Sequence, residues 1–237
     1  LCNTFADETC DDRMHVMFQC HDFSARGMIG RHAAALSGLG HLMSFHGTDT
    51  IAAIDLVEEY YNVDASKYFI AASVPASEHS VTSLGIAVDG ELETLKRWLT
   101  VSYPEGLVSI VSDTIDYWKV ITEYLPLLKN EILSRKPNAI GLCKTVMRPD
   151  SGDPIRIICG YEEQELQRPG DGRILIRETG KEITEFEAAG SIDCLWDTFG
   201  GTINNKGYRV LDPHIGLIYG DSITLERARE IFERLRR

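Results

Sequence analysis

Six clusters of polar and charged residues each follow a short apolar run, and their residue types suit chemistry on phosphates and small polar ligands. The most telling is Arg148-Pro149-Asp150-Ser151-Gly152. Arg148 offers a planar fork for phosphate, Asp150 can accept from a pair of ribose hydroxyls, and Ser-Gly leaves free amides for an anion. On spacing alone, an Arg–Asp pair bracing a turn is the alternative. Gly220-Asp221-Ser222 reads similarly, as a close-approach glycine at the mouth of a helix whose amides face an anion. A plain N-cap would look the same. Glu78-His79 lacks an HExxH context, which argues against zinc hydrolysis, but a strand-end histidine is a candidate acid, base or nucleophile. A structural, hydrogen-bonded histidine is equally compatible. His21-Asp22 looks like the metal-binding pair of phosphohydrolases. Those pairs sit on helices, however, and this one follows a strand-like run, so bonding to loop amides competes. His46-Gly47-Thr48-Asp49 and Ser112-Asp113-Thr114-Ile115-Asp116 complete the set. Gly38-x-Gly40 lacks the third glycine of a dinucleotide fingerprint and reads as a helix C-cap.

The elements that position these clusters are legible as apolar runs: His15–Cys20, His41–Phe45, Tyr68–Ser73, Leu107–Val111, Cys143–Met147 and Ile215–Tyr219. Continuous apolar runs bounded by turn signals suit strands buried on both faces, as in a parallel sheet. Helical periodicity appears in Ile51–Tyr61, with Thr48 or Asp49 as N-cap and Ile51, Ile54, Leu56, Val57 and Tyr61 on its apolar side. It recurs in Glu91–Leu99, in Thr114–Leu133 with a break at Pro126, and in Ser222–Arg237. Alternation at this spacing predicts βαβ units and an α/β class. The clusters then lie at strand C-terminal ends and converge on one face. Tyr161–Gly190 departs from the pattern. It is highly charged around Pro169-Gly170-Asp171-Gly172, with a β-like run at Arg173–Arg177, and reads as a hairpin-like surface insertion or a substrate-facing lid.

The chain has 237 residues, 43% hydrophobic and 25% charged, which excludes a disordered chain or a coiled coil. A net charge of −12 argues against nucleic acid or an anionic membrane as partner. No apolar stretch approaches the roughly 18–20 residues of a membrane span. The N-terminus lacks the regions of a signal peptide and an initiator Met, which suggests that something upstream has been removed. Six scattered cysteines without zinc-like spacing read as reduced thiols of a cytoplasmic protein.

Taken together, the motifs resemble the nicotinamide phosphoribosyltransferase family. The resemblance is carried by His21-Asp22-Phe23-Ser24-Ala25-Arg26-Gly27, Phe45-His46-Gly47-Thr48-Asp49-Thr50 and Ser73-Val74-Pro75-Ala76-Ser77-Glu78-His79-Ser80, together with the Ser112, Arg148 and Gly220 clusters in the family's order. It implies a type II phosphoribosyltransferase-like, TIM-like α/β barrel. Residues 1–237 would be its central portion, incomplete by itself, with a charged insertion at 161–190 similar to bacterial and phage members. The implied reaction converts nicotinamide and phosphoribosyl pyrophosphate to nicotinamide mononucleotide and pyrophosphate. ATP is a co-substrate through a phosphorylated histidine, and Mg²⁺ sits on the phosphates. By motif, Asp22 resembles the acceptor of the nicotinamide amide, His79 the phosphorylated histidine and Arg148 the diphosphate ligand. Asp150, Gly220 and Asp221 would take the ribose side. Ser112 and Asp116 would join the phosphate shell, and Glu78 the magnesium. Family members are longer at both ends and work as homodimers, so a second copy or a complementing chain is expected. Nicotinate phosphoribosyltransferase, or a fragment that only binds or assembles, are the competing readings.

Overall fold

Three of the six apolar runs, Leu107–Val111, Cys143–Met147 and Ile215–Tyr219, supply parallel strands that lead into chemistry-bearing clusters. The computed structural model describes residues 1–139 and 141–237, which divide into a unit Leu1–Val74 and a unit Pro75–Arg237.

Leu1–Val74 contains α1 (Cys2–Thr9), a tight turn at Met14–Phe18, β1 (His21–Asp22), α2 (Arg31–Leu42), β2 (Gly47–Thr48) and α3 (Ala52–Tyr61). β1 pairs in parallel with β2, and Gly47 bridges onward to Ala72. Three expected strands are corrected here, and one of them, Tyr68–Ser73, holds only the isolated bridge at Ala72. His15–Cys20 is largely a 3₁₀ turn in which only Val16 is buried, while Met14 and Phe18 face solvent. His41–Phe45 begins as the end of α2, because Ala34, Ala35, Gly38 and Leu42 bury at helical spacing. Gly38 is therefore a packing residue inside α2, not a C-cap: an added Cβ would lie 2.7 Å from that of Ala53 on α3. Of the residues expected on the apolar side of α3, Leu56 and Val57 are buried and Ile54 is partly so, whereas Ile51 and Tyr61 are exposed; Ala53 is buried as well. Thr48 and Asp49 do not cap α3, since Ile51 is its N-cap.

Pro75–Arg237 begins with α4 (His79–Asp89) and α5 (Glu91–Arg97), followed by a wide π turn at Trp98–Ser102 and β3 (Leu107–Val111). Acidic residues open α5 and basic residues close it, as the helix dipole favours. The long helical pattern starts at Tyr117 and is broken into α6 (Tyr117–Lys119), a π turn, α7 (Leu125–Leu127) and α8 (Lys129–Leu133). Pro126 has no N–H to give, and the interruption surrounds it. Next come β4 (Lys144–Arg148) and α9 (Pro154–Cys159), then β5 (Leu166–Gln167), β6 (Ile174–Ile176) and β7 (Glu182–Ile183). α10 (Glu185–Ala189), α11 (Ser191–Phe199), the hairpin β8 (Gly201–Ile203) and β9 (Arg209–Leu211), β10 (Ile215–Leu217) and α12 (Leu225–Leu235) complete the unit. β3, β4 and β10 form a parallel sheet with β4 central, and Ala76 bridges to Ser109 beyond β3. Ile110, Met147 and Ile215 of this sheet pack with Leu99, Ile121, Leu125, Ile132 and Leu195 in one core. No closed barrel and no helix long and apolar enough to cross a membrane occur among the described residues.

The insertion is a three-stranded antiparallel meander, β5-β6-β7, with its own small core of Leu166, Ile174, Ile183 and Ala188. Glu165 fastens it to two helices. Its carboxylate accepts from Arg156 at 2.6 Å, from both terminal nitrogens of Arg234 at 3.2 and 3.1 Å, and from the Glu162 amide at 2.7 Å. Burial pushes the Glu165 carboxyl up, but the bonds from Arg234, the Glu162 amide and Arg156 outweigh it and hold it below its ordinary value. A depressed carboxyl contributes stability above its unfolded value of about 4.3, and that contribution fades as pH falls through the folded value. Glu165→Gln should thus lower the melting temperature by about 2–4 °C at pH 7, near 1 kcal/mol for a unit of this size. In thermal scans the gap to the wild type should narrow below about pH 4.3.

Candidate active site

The ends of β3, β4 and β10 bring one set of groups together within Pro75–Arg237. Arg148 closes β4 with only 4% of its surface exposed. Its Nη2 donates to the Ser77 carbonyl at 2.9 Å and lies 3.6 Å from Glu78, while Nε lies 3.7 Å from Asp150 Oδ1. A buried guanidinium needs such compensation. Asp113, just past β3, accepts from the Asp150 amide at 2.9 Å, the Ser151 amide at 2.8 Å and the Ser151 hydroxyl at 2.6 Å. Of the Ser151 and Gly152 amides that the sequence offered to an anion, that of Ser151 is thus spent on a carboxylate. Ser112 donates its amide to the Arg148 carbonyl at 3.1 Å, and its buried hydroxyl has no protein partner among the described residues.

His79 opens α4 half-exposed. Its Nδ1 is 3.2 Å from the Thr114 hydroxyl, and its Nε2 is 3.6 Å from Asp113 and 3.7 Å from Asp150. Burial raises the Asp150 carboxyl above its ordinary value. Arg148 and His79 oppose that rise, and Asp113 and Glu78 reinforce it. The Oδ1 atoms of Asp113 and Asp150 are buried without a hydrogen bond among the described residues. Gly220 presses against Asp150, so that an added Cβ would lie 1.7 Å from its Oδ1, and the Gly220 amide donates to the Pro149 carbonyl at 3.1 Å. The close approach expected of Gly220 is real, but the helix mouth is not. α12 starts at Leu225 with Thr224 as its cap, and the exposed Asp221 and left-handed Ser222 (φ 54°) precede it in a loop. Asp116 is exposed and accepts from the Lys119 amide at the start of α6, a capping role.

Leu1–Val74 holds a second constellation. Asp22 is 8% exposed; it accepts from the Ser24 amide at 2.8 Å and the Thr48 hydroxyl at 3.4 Å. Burial would push its carboxyl up, but the Ser24 hydroxyl and amide, the Thr50 hydroxyl and the charge of His41 outweigh that and hold it below its ordinary value. His21 Nε2 lies 2.9 Å from Asp49, which also accepts from the Ser73 hydroxyl. The His21 ring rests 4.5 Å from that of Phe23.

A buried guanidinium, paired carboxylates, a half-exposed imidazole and a glycine at a strand-end edge are groups that could meet a phosphorylated, hydroxyl-bearing ligand. The sequence profile of the nicotinate phosphoribosyltransferase (NAPRTase) family matches residues 18–237. The chain belongs to this family. It is 47% identical over 235 residues to a protein of Acinetobacter baylyi named nicotinamide phosphoribosyltransferase, covering 99% of this chain and 42% of the relative. Proteins of the same name from Mycoplasma pneumoniae and Xanthomonas campestris are 36% and 34% identical, covering 100% and 98% of this chain and 44% and 41% of themselves. The chain thus spans about two fifths of the length of the curated relatives it matches.

Of the residues singled out from sequence, His79, Glu78, Arg148, Asp150, Gly220 and Ser112 cluster in this family member around one strand-end edge. Asp116 caps a helix instead, and Asp22 belongs to the other unit. Asp113 was overlooked, although it stands next to Ser112 and directly follows β3. Gly220→Ala forces the Asp150 carboxylate or the loop to move and should cost about 1–3 kcal/mol in thermal unfolding. Gly40→Ala, where an added Cβ meets nothing within 4 Å inside α2, should leave stability unchanged or raise it.

Proposed function

We propose that this chain serves a nicotinamide phosphoribosyltransferase reaction, the transfer of phosphoribosyl from its pyrophosphate to nicotinamide. What supports this reading most is the strand-end cluster of Arg148, Asp150, Gly220 and His79, together with extensive identity to relatives of that name. Arg148 supplies a fixed positive charge for the diphosphate, and Asp150 with Gly220 takes the ribose hydroxyls. Asp221 and Ser112 flank the same ligand, and Asp116 contributes only through α6. Loss of pyrophosphate leaves positive charge on the ribose, which the carboxylates of Asp113 and Asp150 stabilise.

His79 is the candidate for phosphorylation by ATP: Thr114 orients Nδ1, and Nε2 is the nitrogen toward the carboxylates. The donor set also fits magnesium arriving on the substrate's phosphates. No group of three or more potential metal-ligating side chains occurs among the described residues, so the substrate's phosphates would supply most of the ligands. The buried Oδ1 atoms of Asp113 and Asp150, without hydrogen bonds among the described residues, could add hard oxygens. Bound magnesium would neutralise charge on the leaving pyrophosphate. Because Glu78 lies 3.6 Å from Arg148, its charge is already shared with the guanidinium.

The low-lying Asp22 carboxyl supports an amide as substrate, since a carboxylate attracts the carboxamide N–H and repels the carboxylate of nicotinate. On the same reading the parallel ladders are stretches of a TIM-like barrel, and a homodimer or a complementing chain completes the enzyme in the cytoplasm. Calorimetric titration with nicotinamide mononucleotide and nicotinate mononucleotide, in Mg²⁺, tests it. The amide nucleotide should bind the more tightly, and Asp22→Ser should narrow the preference about tenfold, equivalent to about 1.4 kcal/mol. Preference for the acid nucleotide would favour a nicotinate enzyme, and binding of neither would favour a piece that only assembles.

A further inference from the structure

Two of the groups that meet the ligand on this reading, Asp150 and Gly220, sit on two loops, one after β4 and one after β10, and a side chain assigned no role in the reaction ties these loops together. The Tyr219 hydroxyl donates to the Gly152 carbonyl at 2.9 Å. Beside it, the Gly220 amide donates to the Pro149 carbonyl at 3.1 Å. The two bonds bracket the point where Gly220 meets Asp150. Gly152 sits at φ +90°, where a side chain would be strained, so the direction of its carbonyl is set by the glycine turn. Asp113 holds the same 148–152 loop from the β3 side through three hydrogen bonds. Asp150 is therefore gripped on both flanks, by Asp113 from one strand and by Tyr219 from another.

The phenol is suited to this task. Burial, with Asp113, Asp221, Asp153 and Asp150 around it, pushes its pKa up to about 12, which keeps the hydroxyl a donor across the physiological range.

We propose that Tyr219 is a positioning residue: its hydroxyl clasps the loop after β4 to the loop after β10 and sets the gap between Asp150 and Gly220 that receives the ribose-diphosphate end of the ligand. The identity of that ligand rests on the function proposed above, whereas the clasp does not. Tyr219→Phe removes the hydroxyl and keeps the ring. Hydrogen exchange of this variant should quicken at least threefold in residues 149–153 and 219–222 and stay unchanged in the 174–183 meander. Titrated with phosphoribosyl pyrophosphate in Mg²⁺, it should bind at least fivefold more weakly, with nicotinamide affinity unaltered. Unchanged exchange in both loops overturns the proposal, as does faster exchange with undiminished affinity for the phosphorylated ligand. Equal weakening toward nicotinamide would mean a general loss of structure and overturns it as well. A wild-type chain that binds no phosphoribosyl pyrophosphate overturns the assignment of that ligand, and the exchange rates then decide the clasp by themselves.

Discussion

Arg148 carries a permanent positive charge at the end of β4, enclosed by protein, and the surroundings of that charge decide where its neighbours go. A guanidinium cannot shed its proton to escape burial, so compensation has to come from fixed partners. The Ser77 carbonyl, Glu78 and Asp150 supply it from two directions. Ser77 and Glu78 lie just ahead of α4, which fixes where His79 begins that helix. Asp150 lies two residues beyond the arginine, and its position requires the glycine at 220, since any side chain there would collide with it. One buried cation thus gathers the segment ahead of α4 and the loop after β4, and the glycine after β10 packs against one of its partners. The parallel sheet makes this possible, because its strands finish at the same edge.

The sequence made the carriers of the site legible and left much of their wiring hidden. β3, β4 and β10 follow from apolar runs bounded by turn residues, and the break at Pro126 follows from its missing N–H. The short strands of Leu1–Val74 were harder. β1 and β2 have two residues each, too few for any period to show, while the neighbouring apolar runs belong to a 3₁₀ turn and to the end of a helix. Asp113 illustrates the second difficulty. Its role is to accept amides 37 and 38 residues further along the chain, and no local pattern announces such a bond. Of the amides offered by Ser151 and Gly152, that of Ser151 does meet an anion, in the form of the Asp113 side chain. Asp116 shows a related ambiguity: a carboxylate three residues before a helical amide is as good a cap as a ligand, and here it caps α6.

Asp22 and Asp150 are the same residue type, each at or just beyond the end of a short parallel strand, yet their carboxyls move in opposite directions. Burial raises both. The difference lies in the supply of donors. Asp22 receives an amide and hydroxyls and feels His41, all of which favour the charged form, and its shift ends downward. Asp150 has a buried oxygen with no hydrogen bond and shares its surroundings with Asp113 and Glu78, so Arg148 and His79 do not fully offset the desolvation. A carboxylate already satisfied by the protein keeps its charge and can discriminate by repulsion. One left short of donors gains most from a ligand that brings hydroxyls or a cation. The proposed roles draw on this contrast: a carboxylate supplied with donors suits discrimination against an acid, and one short of donors suits a ligand that brings hydroxyls.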